Sequence, residues 1–439
     1  MGDSYATAFS YGLKDMEPTV LNLADNRLTK KGSRIIIKGL KPSICSLDLS
    51  RNVIDEAGAS LLGEFAKLKA NSLKDLDLEN TKLGDNGVIS LCKQLLDHPK
   101  LTTLNLAKNG ITDTACGAIS QLISETFYLT TLILYWNYIT GEGAAKILSA
   151  VGRYGSMRVL DLSWNSIGRS KTKVFVKQLA ENLANQENIV HMDLSHNKIK
   201  REDCKNIAEA LKPNHTLWGF HFGDNEGYVL DAKGYLVEDT VHVPLGINHV
   251  EHRIGSLESL RKSFKQNKKI QRYAGNCWIC EGWNEVCIEY PRIKLNEPVY
   301  VSLECDDYKP DLMYTEVGVS GYVLWRMWPP GKTKFFFIVE GKAVVSFKYP
   351  VMRHKLKRRI KLDDDLYPFI DINLTEVNYV MNDVNTTMVN DLNEITVINC
   401  VPRPIAGYHY RLKEKKARIP WSIPISLFKD YIVDTDVNL

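Results

Sequence analysis

The chain has 439 residues, 44% of them hydrophobic and 25% charged, and 56 Lys+Arg against 52 Asp+Glu leave a formal net charge of +4. That length exceeds one ordinary hydrophobic core, so two or more units or a repeat array are expected. The charge is too near balance to argue for a nucleic-acid partner, and no apolar run reaches the roughly 20 residues of a membrane helix.

The opening residues, Met1-Gly2-Asp3-Ser4-Tyr5-Ala6, lack the basic and apolar regions of a secretory signal. Ala6 stands where a myristoylation motif requires Ser or Thr. The cysteines number nine, an odd count that fits free thiols in a reducing compartment better than a disulfide framework. A cytoplasmic protein without cofactor or membrane insertion is expected, with residues 1–19 as an N-terminal cap.

From Val20 a pattern recurs: "VLNLADNRL", "SLDLSRNVI" from Ser46, "DLDLENTKL" from Asp75, "TLNLAKNGI" from Thr103, and "TLILYWNYI" from Thr131. "VLDLSWNSI" from Val159, "HMDLSHNKI" from His191 and "GFHFGDNEG" from Gly219 continue it. Asn26, Asn52, Thr81, Asn109, Asn137, Asn165, Asn197 and Asn225 fall at successive spacings of 26, 29, 28, 28, 28, 32 and 28 residues. Alternating leucines mark a short strand with one face inward. The asparagine side chain can bond backbone groups of a turn that has left the ladder, a task Thr81 can meet only in part. Between these strands, stretches such as "DEAGASLLGEFAKL" read as amphipathic helices, with Ala57, Leu61, Leu62, Phe65 and Leu68 on one face and small residues where helix meets strand. The pattern resembles the leucine-rich-repeat family, in its long-period, ribonuclease-inhibitor-like class. The resemblance implies an α/β solenoid of about eight repeats over residues 20–235, a fold used chiefly to bind proteins.

In such a solenoid the variable strand residues face the concave side. The early repeats place Asn22, Asp48, Asp77, Glu79, Asn105 and Lys108 there, and the later ones Ile133, Tyr135, Trp136, Trp164, His196 and His221. The aromatic group Tyr135, Trp136 and Trp164, with His196 and His221, is a candidate protein-binding surface. The alternative is that Trp136 and Trp164 pack on the ladder asparagines and only shield the edge. No catalytic constellation stands out, so no enzyme is expected.

Beyond Glu226 the repeat gives way to a hairpin-like segment at Lys233-Gly234, and 236–275 reads as a cap or linker with a short basic helix, "SLESLRKSFKQNKK". Over 276–402 the period becomes two. "EVCIEYPRI", "PVYVSLECD", "GYVLWRMW", "KFFFIVEGKAVVSFKY" and "EITVINCVPR" read as strands separated by turn residues, and an antiparallel β-sandwich is expected. "WPPGKTKFFFIVEGKAVVS", Trp328 to Ser346, resembles the early-set, immunoglobulin-like sandwich of glycogen-binding modules. That resemblance implies carbohydrate binding as an alternative function, with Trp278, Trp283, Trp325 and Trp328 as stacking candidates. The Cys277-Trp-Ile-Cys280-Glu-Gly-Trp283 block, with "DDYKPDLM" and "NCVPRP", resembles leucine-rich-repeat proteins of ciliates and related protists. It implies a structural subunit of a ciliary or axonemal assembly with protein partners, microtubule-associated ones among them.

Cys277, Cys280 and Cys287 are three thiols where tetrahedral zinc wants four ligands, and no second CxxC or His pair follows. Buried strand residues, a metal site and a redox pair all remain open, with packing favoured. "RHKLKRRIKLDDDLYPF" sets Arg353, Lys355, Lys357, Arg358 and Arg359 beside three aspartates. It reads as a solvated loop, or as an electrostatic contact with an acidic surface. Residues 403–439 are too apolar for a free tail and are expected to dock on the body or on a partner.

Overall fold

The computed structural model of the chain describes residues 2–68, 71–154, 156–185, 188–212, 214, 217, 219–230, 234–239, 284–291, 298–315, 321–329, 331–362, 369–382, 395–397 and 417–419. Cys277, Cys280, the stretch 256–269 expected as a basic helix and most of 403–439 lie outside these residues. The chain forms two compact units, one built on Met1–Tyr228 and the other within Val229–Trp421.

In the first unit each repeat motif supplies a three-residue strand: β1 (Val20–Asn22), β2 (Ser46–Asp48), β3 (Asp75–Asp77), β4 (Thr103–Asn105), β5 (Thr131–Ile133), β6 (Val159–Asp161), β7 (His191–Asp193) and β8 (Gly219–His221). They form one parallel sheet in chain order. The register aligns Leu47, Leu76, Leu104, Leu132 and Leu160 in a single buried line. Helices α1 (Asp3–Gly12), α2 (Lys30–Lys38), α3 (Glu56–Ala66), α4 (Gly84–Leu95), α5 (Asp113–Glu125), α6 (Gly141–Tyr154), α7 (Thr172–Asn185) and α8 (Arg201–Leu211) complete the α/β solenoid.

Backbone groups of the turn after each strand have left both helix and sheet, and need other partners. The ladder asparagines supply them. Asn109 Oδ1 accepts the N–H groups of Thr81 (3.1 Å) and Leu83 (3.2 Å) in the preceding repeat. Its Nδ2 donates to Leu78 O (2.7 Å) across the repeat boundary and to Ala107 O (3.0 Å) within its own turn. Asn52, Asn137, Asn165, Asn197 and Asn225 repeat this bridge. Thr81 has one hydroxyl proton to share between Leu78 O (2.8 Å) and Asn109 Oδ1 (3.0 Å), both on its own turn or the next.

A second chain of bonds runs on the helix side. Asp85 accepts from the backbone and hydroxyl of Thr112, and Asp113 does the same for Thr140. Asp3 holds Thr29 in the same way, so α1 supplies to the first repeat what α4 and α5 supply to the repeats after them. The buried face of α3 is Gly58, Ala59, Leu62, Gly63, Phe65 and Ala66, which corrects the expected face: Ala57 and Leu68 are exposed. The small residues serve helix–helix contact, because a Cβ on Gly143 would lie 2.3 Å from Asp113 Oδ1 on the neighbouring helix. β9 (Tyr228–Leu230) pairs with β10 (Leu236–Glu238) around Gly234, in agreement with the expected hairpin.

The second unit contains β11 (Asn284–Pro291), β12 (Val299–Leu303), β13 (Pro310–Leu312), β14 (Tyr314–Thr315), β15 (Gly321–Trp328), β16 (Gly331–Val339), β17 (Lys342–Val344), β18 (Val351–Lys361) and β19 (Phe369–Asn382). β20 (Ile395–Val397) pairs with β21 (Ala417–Ile419). Among the described strands, one sheet runs β11-β15-β14 and another β13-β12-β16-β19-β18, with β17 also on β16. The run Phe335–Ile338 is buried on both faces. Phe335 and Phe337 meet Trp328 and Tyr290 of the first sheet. Phe336 and Ile338 face the other way, into a cluster with Tyr300, Tyr308, Ile360, Leu362, Ile370 and Ile372. Arg326 on β15 pairs with Asp306 (2.6 Å) and with Asp311, all three buried. Burial works against the Arg326 charge, but the two carboxylates outweigh it and hold the guanidinium above its ordinary value.

The basic stretch is not a loop. It forms β18, eleven residues long, and pairs with β19 through a register shift between Arg353 and Leu356. Its alternation was hidden by basic residues standing among the apolar ones on the inward face.

Removing the Asn109 side chain strands buried partners at about 1–3 kcal/mol each. Asn109→Ala is expected to cost about 3 kcal/mol and Thr81→Ala about 1 kcal/mol, which urea unfolding of the two variants measures.

Candidate functional site: an aromatic stack on the repeat turns

The residue before each ladder asparagine is left-handed. Asp25, Arg51, Asn80, Lys108, Trp136, Trp164, His196 and Asp224 all have φ between 52° and 57°. An L residue there costs on the order of 1 kcal/mol, so the turn must hold it. It does so by backbone bonds to the next repeat: Trp136 N to Ser163 O, Trp164 N to Ser195 O and His196 N to Gly223 O, at 2.8–3.0 Å. Neighbouring chains in such a ladder lie about 4.8 Å apart, which brings equivalent side chains to ring-stacking distance. The Trp136 and Trp164 rings lie 4.5 Å apart, and Trp164 and His196 3.8 Å apart, all nearly parallel. His196 Nδ1 meets Asp224 Oδ2 at 2.8 Å and ends the row. Trp136 and Trp164 remain 52% and 44% exposed, so the rings brace one another while their outer surface faces solvent.

Tyr135 sits beside this row, half-buried, with Lys108 Nζ 4.9 Å from its ring and bonded at 2.8 Å to Glu79. Tyr138, 67% exposed, extends the aromatic edge. It escaped the sequence reading because it follows the ladder asparagine, outside the strand positions considered; an aromatic residue flanking Asn137 was the available signal. His221 does not join the stack. Its Nε2 lies 3.2 Å from that of buried His191 on the adjacent strand.

Four of the expected concave-face residues, Asn22, Asp48, Asp77 and Asn105, have a local task that Asp161 and Asp193 share. Each ends a strand by accepting the N–H two residues on. Thr103, Asn105, Thr131, Ile133, Asp161 and Asp193 on this face are buried. Desolvation, aided by the neighbouring Asp193 charge, pushes the Asp161 carboxyl up to about 8, and desolvation raises Asp77 to about 7.

In the second unit, Arg353, Lys355, Lys357 and Arg359 share the outward face of β18. Arg358 departs from the expected set: it faces inward and binds Asp307 at 3.0 Å. Trp328 is fully buried with an edge contact to Phe335, which removes it as a sugar-stacking residue. Cys287 is half-buried in β11. No group of three or more metal-binding side chains occurs among the described residues. Burial pushes the Cys92 and Cys305 thiols up to about 12, against thiolate chemistry. No helix among the described residues is long and apolar enough to cross a membrane.

A leucine-rich-repeat family model matches residues 69–92 and 97–120. Mouse ribonuclease inhibitor is 30% identical over 209 residues, 46% of this chain and 45% of that protein. Human NACHT, LRR and PYD domains-containing protein 13 is 31% identical over 205 residues, 45% of this chain and 19% of that protein. The chain thus spans less than half the length of either relative. The tropomodulin C-terminal domain from Caenorhabditis elegans aligns at 18% identity over 36% of this chain and 91% of that one, with a TM-score of 0.29, too low to support an inference. The repeat matches and the eight-stranded parallel sheet give the first unit the architecture of a leucine-rich-repeat solenoid.

Because Asp161 titrates above its ordinary 3.8, its protonated form stabilises the fold fully below that value, and the contribution is lost as pH rises through about 8. Asp161→Asn keeps the acceptor for Ser163 and removes the charge. The variant is expected to gain stability over the parent at about pH 9 and little at about pH 4, as thermal unfolding at the two pH values reports.

Proposed function

We propose that the protein is a non-enzymatic interaction scaffold whose partner seats on the Trp136–Trp164–His196 row with Tyr135 and Tyr138. The observation that carries this reading is the stack itself. Large aromatic rings anchor interfaces, and rings already fixed by one another lose little side-chain freedom on binding. A row used only as shielding would not leave about half of each indole in solvent. Ribonuclease inhibitor, similar over 209 residues, is named for acting on another protein.

The finer form of this reading has two parts. The two sheets of the second unit are taken as an early-set sandwich, supported by the aromatic contacts between them. A place in a ciliary or axonemal assembly, with microtubule-associated partners, is supported by the sequence resemblance of the Cys277–Trp283 block alone.

Affinity purification from native extract with cross-linking mass spectrometry tests the reading. A stoichiometric partner cross-linked to Lys82, Lys108 or Lys198, which lie on turns of the same row, is expected. Replacing Tyr135, Trp136 and Trp164 together by alanine is expected to abolish capture while circular dichroism stays unchanged. Undiminished capture by this folded variant would refute the assignment of the surface.

A further inference from the structure

We infer that β18 is an assembly edge: an extended acidic segment of a partner protein adds to it as a further strand. Among the described strands β18 ends the sheet order β13-β12-β16-β19-β18, and no described strand pairs with the backbone groups on its outer side. Its eleven residues are long for an edge, and beyond the shift after Arg353 the stretch from Leu356 to Lys361 keeps unbroken register with β19 and offers a template for pairing.

The strand is held rigidly from its inner face. Ile360 lies in the buried cluster with Phe336 and Ile338, and Leu356 packs against it. Arg358 binds Asp307 and lies over the Tyr308 ring, while His354 Nε2 approaches Tyr308 Oη at 3.4 Å. A template fixed in this way loses little freedom when a further strand is added.

The outer face supplies the selectivity. Arg353, Lys355, Lys357, Arg359 and Lys361 alternate along it, all exposed. The paired strand sets Asp371 opposite Arg359 and Glu376 opposite Arg353, and the Arg359–Asp371 contact is a loose 3.8 Å with both side chains largely in solvent. Lys355, Lys357 and Lys361 have no ion pair among the described residues. Side chains directly opposite on adjacent strands lie about 5 Å apart, and like charges in that position repel. A second copy of β18 is therefore turned away, whereas a strand with a carboxylate at every other residue meets a cation at each step. Backbone bonds would give such a strand its affinity and the alternation its specificity. The inference is independent of the aromatic row on the repeats.

The test uses the full chain and a synthetic peptide alternating glutamate with valine and threonine. Fluorescence anisotropy measures binding, and hydrogen exchange measures protection along β18. The peptide is expected to bind in a salt-sensitive manner and to slow exchange of the β18 amides by about tenfold or more. Lys355→Glu with Lys357→Glu, both at exposed positions, is expected to weaken binding about tenfold with an unchanged circular dichroism spectrum. Alanine at Tyr135, Trp136 and Trp164 is expected to leave this binding as it was. The inference fails if β18 exchange is unaltered at saturating peptide. It fails equally if a peptide of the same composition with its glutamates blocked together binds as well, since that would mark a plain electrostatic surface. Binding confined to anionic phospholipid vesicles would also overturn it.

Discussion

The amide of the ladder asparagine is the constraint on which the first unit depends. One carboxamide presents two donors and an acceptor, and in Asn109 these reach the preceding turn and its own. Without such a group, each repeat would bury backbone atoms that neither helix nor sheet can satisfy. By fixing turn to turn, the asparagine also fixes the left-handed residue before it. The conformation that an L residue resists thus becomes a regular projection point, one per repeat. The aromatic row is what this chain has placed on three consecutive projection points.

The second unit solves a different problem. β12 and β16 are covered on both faces, and their sequences show it: Phe335 to Ile338 is a continuous apolar run, with consecutive rings turned to opposite sides. One side is closed by the β11-β15-β14 sheet. The other is closed by inward residues of the long β18–β19 hairpin, which also brings Arg358 against Asp307 and Tyr308. The shift in pairing after Arg353 falls along this hairpin, where a bulge sharpens twist and bend.

Much of this was legible in the residues. The eight motif copies placed each strand, because the short strand is local and the ladder residue recurs at near-constant spacing, an asparagine everywhere except at Thr81. Within "KFFFIVEGKAVVSFKY" the chain turns at Glu340 and Gly341, which both adopt positive φ between β16 and β17. The aromatic surface was legible as composition, but its form was not. That Trp136 and Trp164 stack, and that His196 joins them where His221 does not, follows from the left-handed turn residue, which a strand pattern does not mark. β18 was missed because histidine and arginine stand among its inward residues. Their contacts, with Tyr308 and Asp307, come from distant parts of the chain that no local pattern connects.

Thr81 carries a consequence for how the array comes apart. In a linear array, cooperativity is the sum of nearest-neighbour couplings, and a boundary between ordered and disordered repeats forms most cheaply at the weakest one. The Thr81 side chain adds no bond towards the repeat of Asn52, so that junction is the natural place for such a boundary. Melting from the N-terminal side would halt there, and Trp136, Trp164 and His196, two or more repeats further on, would keep their stack. The recognition surface is in this way insulated from fraying of the first repeats.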